Sequence, residues 1–203
     1  MSKDLTNYLI NSGVLKTQSI IDAFAAINRK DFIPEEYTEM ANGDMPIPIG
    51  FGQTNSQPTT VALMLELLEP ELGQKILDLG SGSGWTTILL AKIVGPQGRV
   101  FGIERIPELV ESSKSALGKY KLTNAKIQAS GNELGLLKQA PFDRILVSAA
   151  AEDLPLKLVN QLAKGGIMVI PIKNSIYKIT KDKNNKTSKT EFPGFAFVPL
   201  IYS

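Results

Sequence analysis

The sequence predicts an α/β fold: a mostly parallel sheet, helices at the N-terminus and an antiparallel hairpin at the C-terminus. Three observations predict it. Residues 76–104 read ILDLGSGSGWTTILLAKIVGPQGRVFGIE: an apolar strand, a glycine-rich turn, a helical run and a second apolar strand ending on an acid. Downstream, strand-like and helical runs keep alternating, as parallel strands joined by crossovers do. Near the end, two apolar runs flank Lys183-Asn184-Asn185-Lys186, which reads as a hairpin tip.

Taken in order, residues 3–12 and 17–27 read as two short helices. In the second, Ile20, Ile21, Phe24 and Ile27 recur at helical spacing behind Thr17, a candidate N-cap. Arg29–Pro34 reads as extended. Residues 41–58 hold three glycines and three prolines with no period, so a loop is expected. A loop this long in a compact domain is either disordered or functional. Met45, Ile47, Ile49 and Phe51 favour a packed one, and Thr54, Asn55, Ser56 and Gln57 form its polar end. Asn42-Gly43 within it reads as a turn and is a dipeptide prone to succinimide formation. Pro58 opens a helix with Val61, Met64, Leu65 and Leu68 on one face, and Ser56 is a candidate cap for it.

Beyond residue 104, Pro107–Tyr120 reads as a helix with proline in its first turn. Lys126–Ser130 and Phe142–Val147 read as strands, Leu154–Lys164 as a helix closed by Gly165-Gly166, and Ile167–Ile172 as a strand. Ile176–Lys181 and Phe195–Ile201 form the terminal hairpin. We expect residues 1–58 to supply helices and a functional loop to the same domain as a Rossmann-like core over 59–203. Ligands of such sheets sit at the carboxyl ends of the strands, which gathers Gly80–Gly84, Glu104, Asn132 and Ser148–Ala151 on one rim.

The glycine spacing discriminates between ligands. A dinucleotide fingerprint needs a third glycine at position 85, and Trp85 stands there. The chain carries Gly80, Gly82 and Gly84 after Asp78, with Glu104 placed to accept hydrogen bonds from ribose hydroxyls. A nucleoside ligand without a pyrophosphate fits better, and we read it as S-adenosylmethionine. A glycine-rich turn that binds nothing is the bland alternative.

Composition narrows the chemistry. The 203 residues carry a net charge of +2, too little to argue for nucleic acid. No apolar run approaches the roughly 18 residues of a membrane span, and no leader pattern opens the chain, so a cytoplasmic protein is expected. There is no cysteine and no histidine. That removes thiol nucleophiles, Ser-His-Asp hydrolysis, histidine base catalysis and His- or Cys-ligated metals, so no metal is expected. The remaining chemistry needs little proton transfer. Methylating a carboxylate is such a reaction, since the nucleophile, with a pKa of about 4, is already ionised at pH 7.

Several segments together resemble one family. LDLGSGSG, GIERIPELVE, APFDRILVSAAA, LAKGGIMVIPI and FVPLI, with PIPIGFGQTNSQPTTVALMLELL upstream, are similar to the protein-L-isoaspartate (D-aspartate) O-methyltransferases, from about Leu9 to Ile201. The resemblance implies a Rossmann-like S-adenosylmethionine-dependent fold. It implies methyl transfer to the α-carboxyl of L-isoaspartyl residues in damaged proteins and peptides, initiating repair through a succinimide, and leaves D-aspartyl residues open. It implies Ser56 as the catalytic residue, orienting the acceptor. Gln53, Thr54, Asp78, Gly80, Ser81, Gly82, Gly84, Glu104 and Asn132 would hold the cofactor, and Thr54, Ser56, Val198, Leu200 and Ile201 the peptide. The partners implied are isoaspartyl peptides and proteins, with neither nucleic acid nor membrane, and a monomer is expected.

Four departures stand out. Gly131-Asn132-Glu133 replaces the usual Gly-Asp-Gly, and the loss of charge at Asn132 should weaken cofactor binding by about 1 kcal/mol. Asn55 replaces an apolar residue. Lys173-Asn174-Ser175 replaces a glycine-rich segment, and the chain stops soon after FVPLI. Two rivals therefore stay open: a carboxyl methyltransferase with a dedicated peptide acceptor, and a non-catalytic cofactor-binding relative.

Overall fold

The computed structural model describes residues 2–202. Six helices are α1 (Ser2–Asn11), α2 (Gln18–Ala26), α3 (Pro58–Leu68), α4 (Trp85–Val94), α5 (Pro107–Lys119) and α6 (Leu156–Gln161). The strands are β1 (Ile47–Gly50), β2 (Gln53–Asn55), β3 (Lys75–Leu79), β4 (Arg99–Glu104), β5 (Ala125–Ala129), β6 (Phe142–Val147), β7 (Leu162–Ile172), β8 (Ser175–Lys181) and β9 (Thr187–Pro193). Seven of them form one sheet in the order β5-β4-β3-β6-β7-β8-β9. Pairings from β5 to β7 are parallel; β7–β8 and β8–β9 are antiparallel.

Strand alternation sends side chains to two cores. Ile76 and Leu146 face a cluster with Leu65 and Leu68 of α3, Ile88 and Leu89 of α4, and Leu9 and Phe24 of the N-terminal helices. Leu77, Ile145 and Val147 face the other, with Leu158, Met168 and Ile179. α4 sits close to β4 because Gly102 has no side chain: a Cβ there would lie 2.7 Å from Thr87 Oγ1.

The structure corrects four local expectations. Arg29–Phe32 is a 3-10 turn rather than extended, with the Asn28 side chain accepting from Lys30 N at 3.2 Å. The 41–58 segment contains the antiparallel hairpin β1–β2. The helix expected over 154–164 spans only Leu156–Gln161, because Leu162 is already paired with Phe142 as β7 begins. The terminal hairpin pairs β8 with β9, not with Phe195–Ile201. β9 was hidden from apolar patterning because it is a polar, largely exposed edge strand. Residues 195–201 instead return to the rim of the sheet. There Ala150 N donates to Val198 O at 2.8 Å, and Leu200 N donates to Ala150 O at 2.7 Å.

Both candidate caps also act differently. Thr17 precedes α2 but makes no side-chain cap; its hydroxyl donates to Glu66 at 2.7 Å. α3 follows Gln57, not Ser56, and its first turn is capped from a distance: Asp44 accepts from Thr59 N at 2.8 Å and from Thr59 Oγ1 at 2.7 Å. Burial alone would raise the Asp44 pKa, but the bonds from Thr59, Gln57 and Tyr8 hold it below the usual carboxylate range.

Candidate active site

The carboxyl ends of β3 and β4 open into a cavity of about 270 Å3. One wall is the glycine turn, with Gly80, Ser81, Gly82 and Ser83, and the start of α4 at Trp85 and Thr86. Glu104, at the end of β4, is buried beside it. Its Oε2 accepts from Gly82 N at 2.9 Å; Oε1 accepts from Arg105 N at 2.7 Å and Ile106 N at 3.0 Å. These bonds fix the carboxylate; Oε1 already accepts two of them, and Oε2, which accepts one, keeps lone-pair capacity for a ligand hydroxyl. A second wall is Ser130, Gly131, Glu133, Leu134 and Gly135. The other wall is Gln53–Ser56 together with Val198–Tyr202.

The turn is built for close approach at Gly84. Its φ is +89°, and a Cβ would lie 2.9 Å from Ser113 Cβ. Gly84 thus lets the turn pack on α5 while Trp85 occupies the next position, buried and edge-on to Phe24. Asp78 lies beneath the turn, fully buried, with Oδ2 accepting from Thr86 Oγ1 at 2.7 Å and Thr87 Oγ1 at 2.6 Å. Burial, aided by the Glu104 charge and opposed by the two threonine bonds, pushes its pKa up to about 6.

Among the described residues, the buried side-chain polar atoms without a partner are Asp78 Oδ1, Ser81 Oγ and Trp85 Nε1. All three lie at the glycine turn, and Ser81 and Trp85 line the cavity. Buried polar groups are normally satisfied, so orphans concentrated at one cavity fit a polar ligand held there. The donor set suits an adenosyl ligand: a fixed carboxylate for a ribose, and an acidic, partly apolar lining for a sulfonium. Among the described residues no group of His, Asp and Glu could hold a metal.

Most of the residues expected from the sequence converge here. Ser56, Gln53, Thr54, Gly80, Ser81, Gly82, Glu104, Val198, Leu200 and Ile201 all line the cavity. Asp78, behind the turn, and Gly84, at its end, are absent from the lining and shape the turn. Asn132 is not on the wall; its neighbours Gly131 and Glu133 are.

Two residues were missed. Gln161 holds the second wall, accepting from Leu136 N at 2.8 Å and donating to Leu134 O at 2.8 Å. Arg29 holds the other one. It is buried, and its Nε donates to Asn55 Oδ1 at 2.7 Å. Nη1 donates to Gly43 O at 2.9 Å; Nη2 donates to Met45 O at 2.8 Å, Ser56 O at 3.0 Å and Asn55 O at 3.2 Å. The guanidinium also lies 5.3 Å over the Trp85 ring. Burial lowers its pKa to about 10, against the pull of Asp44, so it stays charged at neutral pH. No sequence period marks such a residue; an arginine amid Phe24, Ile27 and Phe32 was the available signal.

A family model described as Protein-L-isoaspartate(D-aspartate) O-methyltransferase (PCMT) matches residues 1–203. The chain belongs to this family. It catalyses S-adenosylmethionine-dependent methyl transfer to isoaspartyl residues. It is 41% identical to the protein-L-isoaspartate O-methyltransferase of Ignicoccus hospitalis, covering 98% of this chain and 96% of that one. It is 42% identical to the Aeropyrum pernix enzyme, over 97% of this chain and 78% of that one. The fold of a Plasmodium falciparum relative crystallised with S-adenosyl-L-homocysteine is similar, with a TM-score of 0.85 at 28% identity over 99% and 98% of the two chains.

Proposed function

We propose that the cavity holds S-adenosylmethionine against the glycine turn and Glu104, and the isoaspartyl acceptor against Gln53–Ser56 and Val198–Ile201. The observation that carries this reading is that both sets of residues line one cavity. S-adenosylmethionine supplies a methyl group already activated on a sulfonium. The acceptor α-carboxylate is ionised at neutral pH, so no base has to deprotonate it. The work left to the chain is alignment. Ser56 donates a hydrogen bond that orients the acceptor carboxylate, and its own position is set by Arg29 through the Ser56 carbonyl. Gly80, Ser81 and Gly82 cradle the cofactor. Glu133, rather than Asn132, supplies the acidic contact at the second wall.

The Val198–Ile201 segment is extended and already exchanges main-chain bonds with Ala150. A peptide held beside it mainly through backbone contacts would be accepted with varied flanking residues. The product ester then closes to a succinimide when the following backbone nitrogen attacks the ester carbonyl and methanol leaves. Hydrolysis of that ring returns part of the material to normal aspartate. We also read the enzyme as a cytoplasmic monomer; no helix among the described residues is long and apolar enough to cross a membrane.

The test is transfer of labelled methyl from S-adenosylmethionine to matched peptides containing isoaspartate or aspartate. Base-labile ester on the isoaspartyl peptide alone is the expected result. Transfer to neither, with S-adenosyl-L-homocysteine still bound in calorimetry, would move the acceptor to a dedicated peptide.

A further inference from the structure

Beside the stacking of Arg29 on Trp85, a side-chain hydrogen bond joins these two walls of the cavity. We propose that Asn55 is the positioning residue that registers the acceptor loop against the cofactor turn. The inference rests on the assignment of those two walls above. Asn55 is the inward residue of β2, buried, and lines the cavity between Thr54 and Ser56. Its Nδ2 donates to Ser83 Oγ at 3.2 Å, and Ser83 sits in the glycine turn between Gly82 and Gly84.

The orientation of the amide is dictated by Arg29. A guanidinium only donates, so the group bonded to Arg29 Nε at 2.7 Å must be the amide oxygen. That leaves the NH2 facing Ser83. Arg29 also binds the carbonyls of Asn55 and Ser56, so the same cation sets the amide and the main chain that carries Ser56. Ile49 of β1 adds an apolar contact, lying 3.3 Å from the Cβ position of Gly82. The apolar residue usual in the family at position 55 would pack there but could not hold a fixed register. Both polar atoms of the Asn55 amide are engaged within the chain, so it acts through Ser56 on one side and Ser83 on the other. Loss of register between two bound reactants slows the aligned displacement without releasing either.

The test is a double-mutant cycle of Asn55→Leu, Ser83→Ala and the pair. Turnover of an isoaspartyl peptide is measured per active site, with S-adenosyl-L-homocysteine affinity and unfolding alongside. Each single variant should lower kcat about tenfold while peptide KM and cofactor-product affinity move less than about twofold. The double variant should be no slower than Asn55→Leu alone, because Asn55→Leu already removes the bond that Ser83→Ala cuts. Unchanged kcat in a folded Asn55→Leu, a rise in KM that accounts for the whole loss, or effects that multiply would each overturn the proposal. Should Asn55→Leu not fold, Ser83→Ala cuts the same bond from the turn and is judged by the same kcat criterion. Wild-type enzyme that fails to methylate the peptide would overturn the wall assignment and this inference together.

Discussion

The proposed cofactor wall and the proposed acceptor wall of the cavity are built in opposite ways. The cofactor wall comes mainly from one continuous stretch, β3 through β4, and most of its key bonds join near neighbours, Glu104 to Arg105 and Ile106 and Asp78 to Thr86 and Thr87, while Glu104 to Gly82 ties the two ends of that stretch together. The acceptor wall is gathered from residues 29, 43–56 and 198–202, and its strand ladder is the short β1–β2 hairpin. A buried cation supplements that ladder, with Arg29 collecting the carbonyls of Gly43, Met45, Asn55 and Ser56. The difference teaches where each wall is fragile. The first depends on backbone conformations that only certain residues adopt; the second depends on a single side chain.

The largest effect should therefore come from the acceptor wall. Arg29→Met would strip donors from four carbonyls and from Asn55, and should cost about 3–5 kcal/mol of unfolding free energy in denaturant. A loss below 1 kcal/mol would mean that water or a neighbour serves those carbonyls, and the contrast would fail. Next is Gly84→Ala, which forces a Cβ to 2.9 Å from Ser113 Cβ at φ +89°. It should cost about 2–3 kcal/mol.

Glu104→Ala sharpens the cofactor side. It removes the fixed acceptor for the ribose and three backbone amide bonds, and should weaken S-adenosyl-L-homocysteine binding by about 1.5–3 kcal/mol in calorimetry. Unchanged affinity would place the ribose elsewhere.

Asp78 gives the same wall a pH signature. Its folded pKa is raised to about 6 from the ordinary 3.8, so between those values the native state binds more protons than the unfolded chain. Stability from this group is thus greatest below pH 4 and declines as pH rises toward 6. The unfolding free energy of wild type minus Asp78→Asn should fall by up to about 1.4 kcal/mol per pH unit across that window, then level. A flat difference would mean the carboxyl is hydrated. The smallest effect separates two neighbours. Glu133→Gln should weaken binding of S-adenosyl-L-homocysteine by about 1 kcal/mol, and Asn132→Ala should not.

The same contrast explains what the sequence revealed. The cofactor wall was legible because a strand, turn, helix and strand leave periods and glycines in one window. Gly80, Ser81, Gly82 and Glu104 could be named from that window alone. The acceptor loop was legible only by composition and by likeness to a family, and its hairpin was not, because β1 and β2 are four and three residues long. β9 escaped because an exposed polar edge strand carries no alternation, whereas the apolar Phe195–Ile201 imitated one, its first part packing on the core and Val198–Ile201 lining the cavity. Arg29, Gln161 and Asp44 were invisible for a shared reason: each bonds backbone distant in sequence, and no local pattern records that.

The central claim is that the walls are separable, one binding cofactor by itself and the other aligning the acceptor through Arg29. The most direct measurement is Arg29→Lys, with S-adenosyl-L-homocysteine affinity by calorimetry and methyl transfer to an isoaspartyl peptide on the same preparation. Lysine keeps the charge but cannot reach all of these partners. The account predicts transfer down by about tenfold or more with affinity within about twofold of wild type. Affinity and transfer falling by the same factor would contradict it.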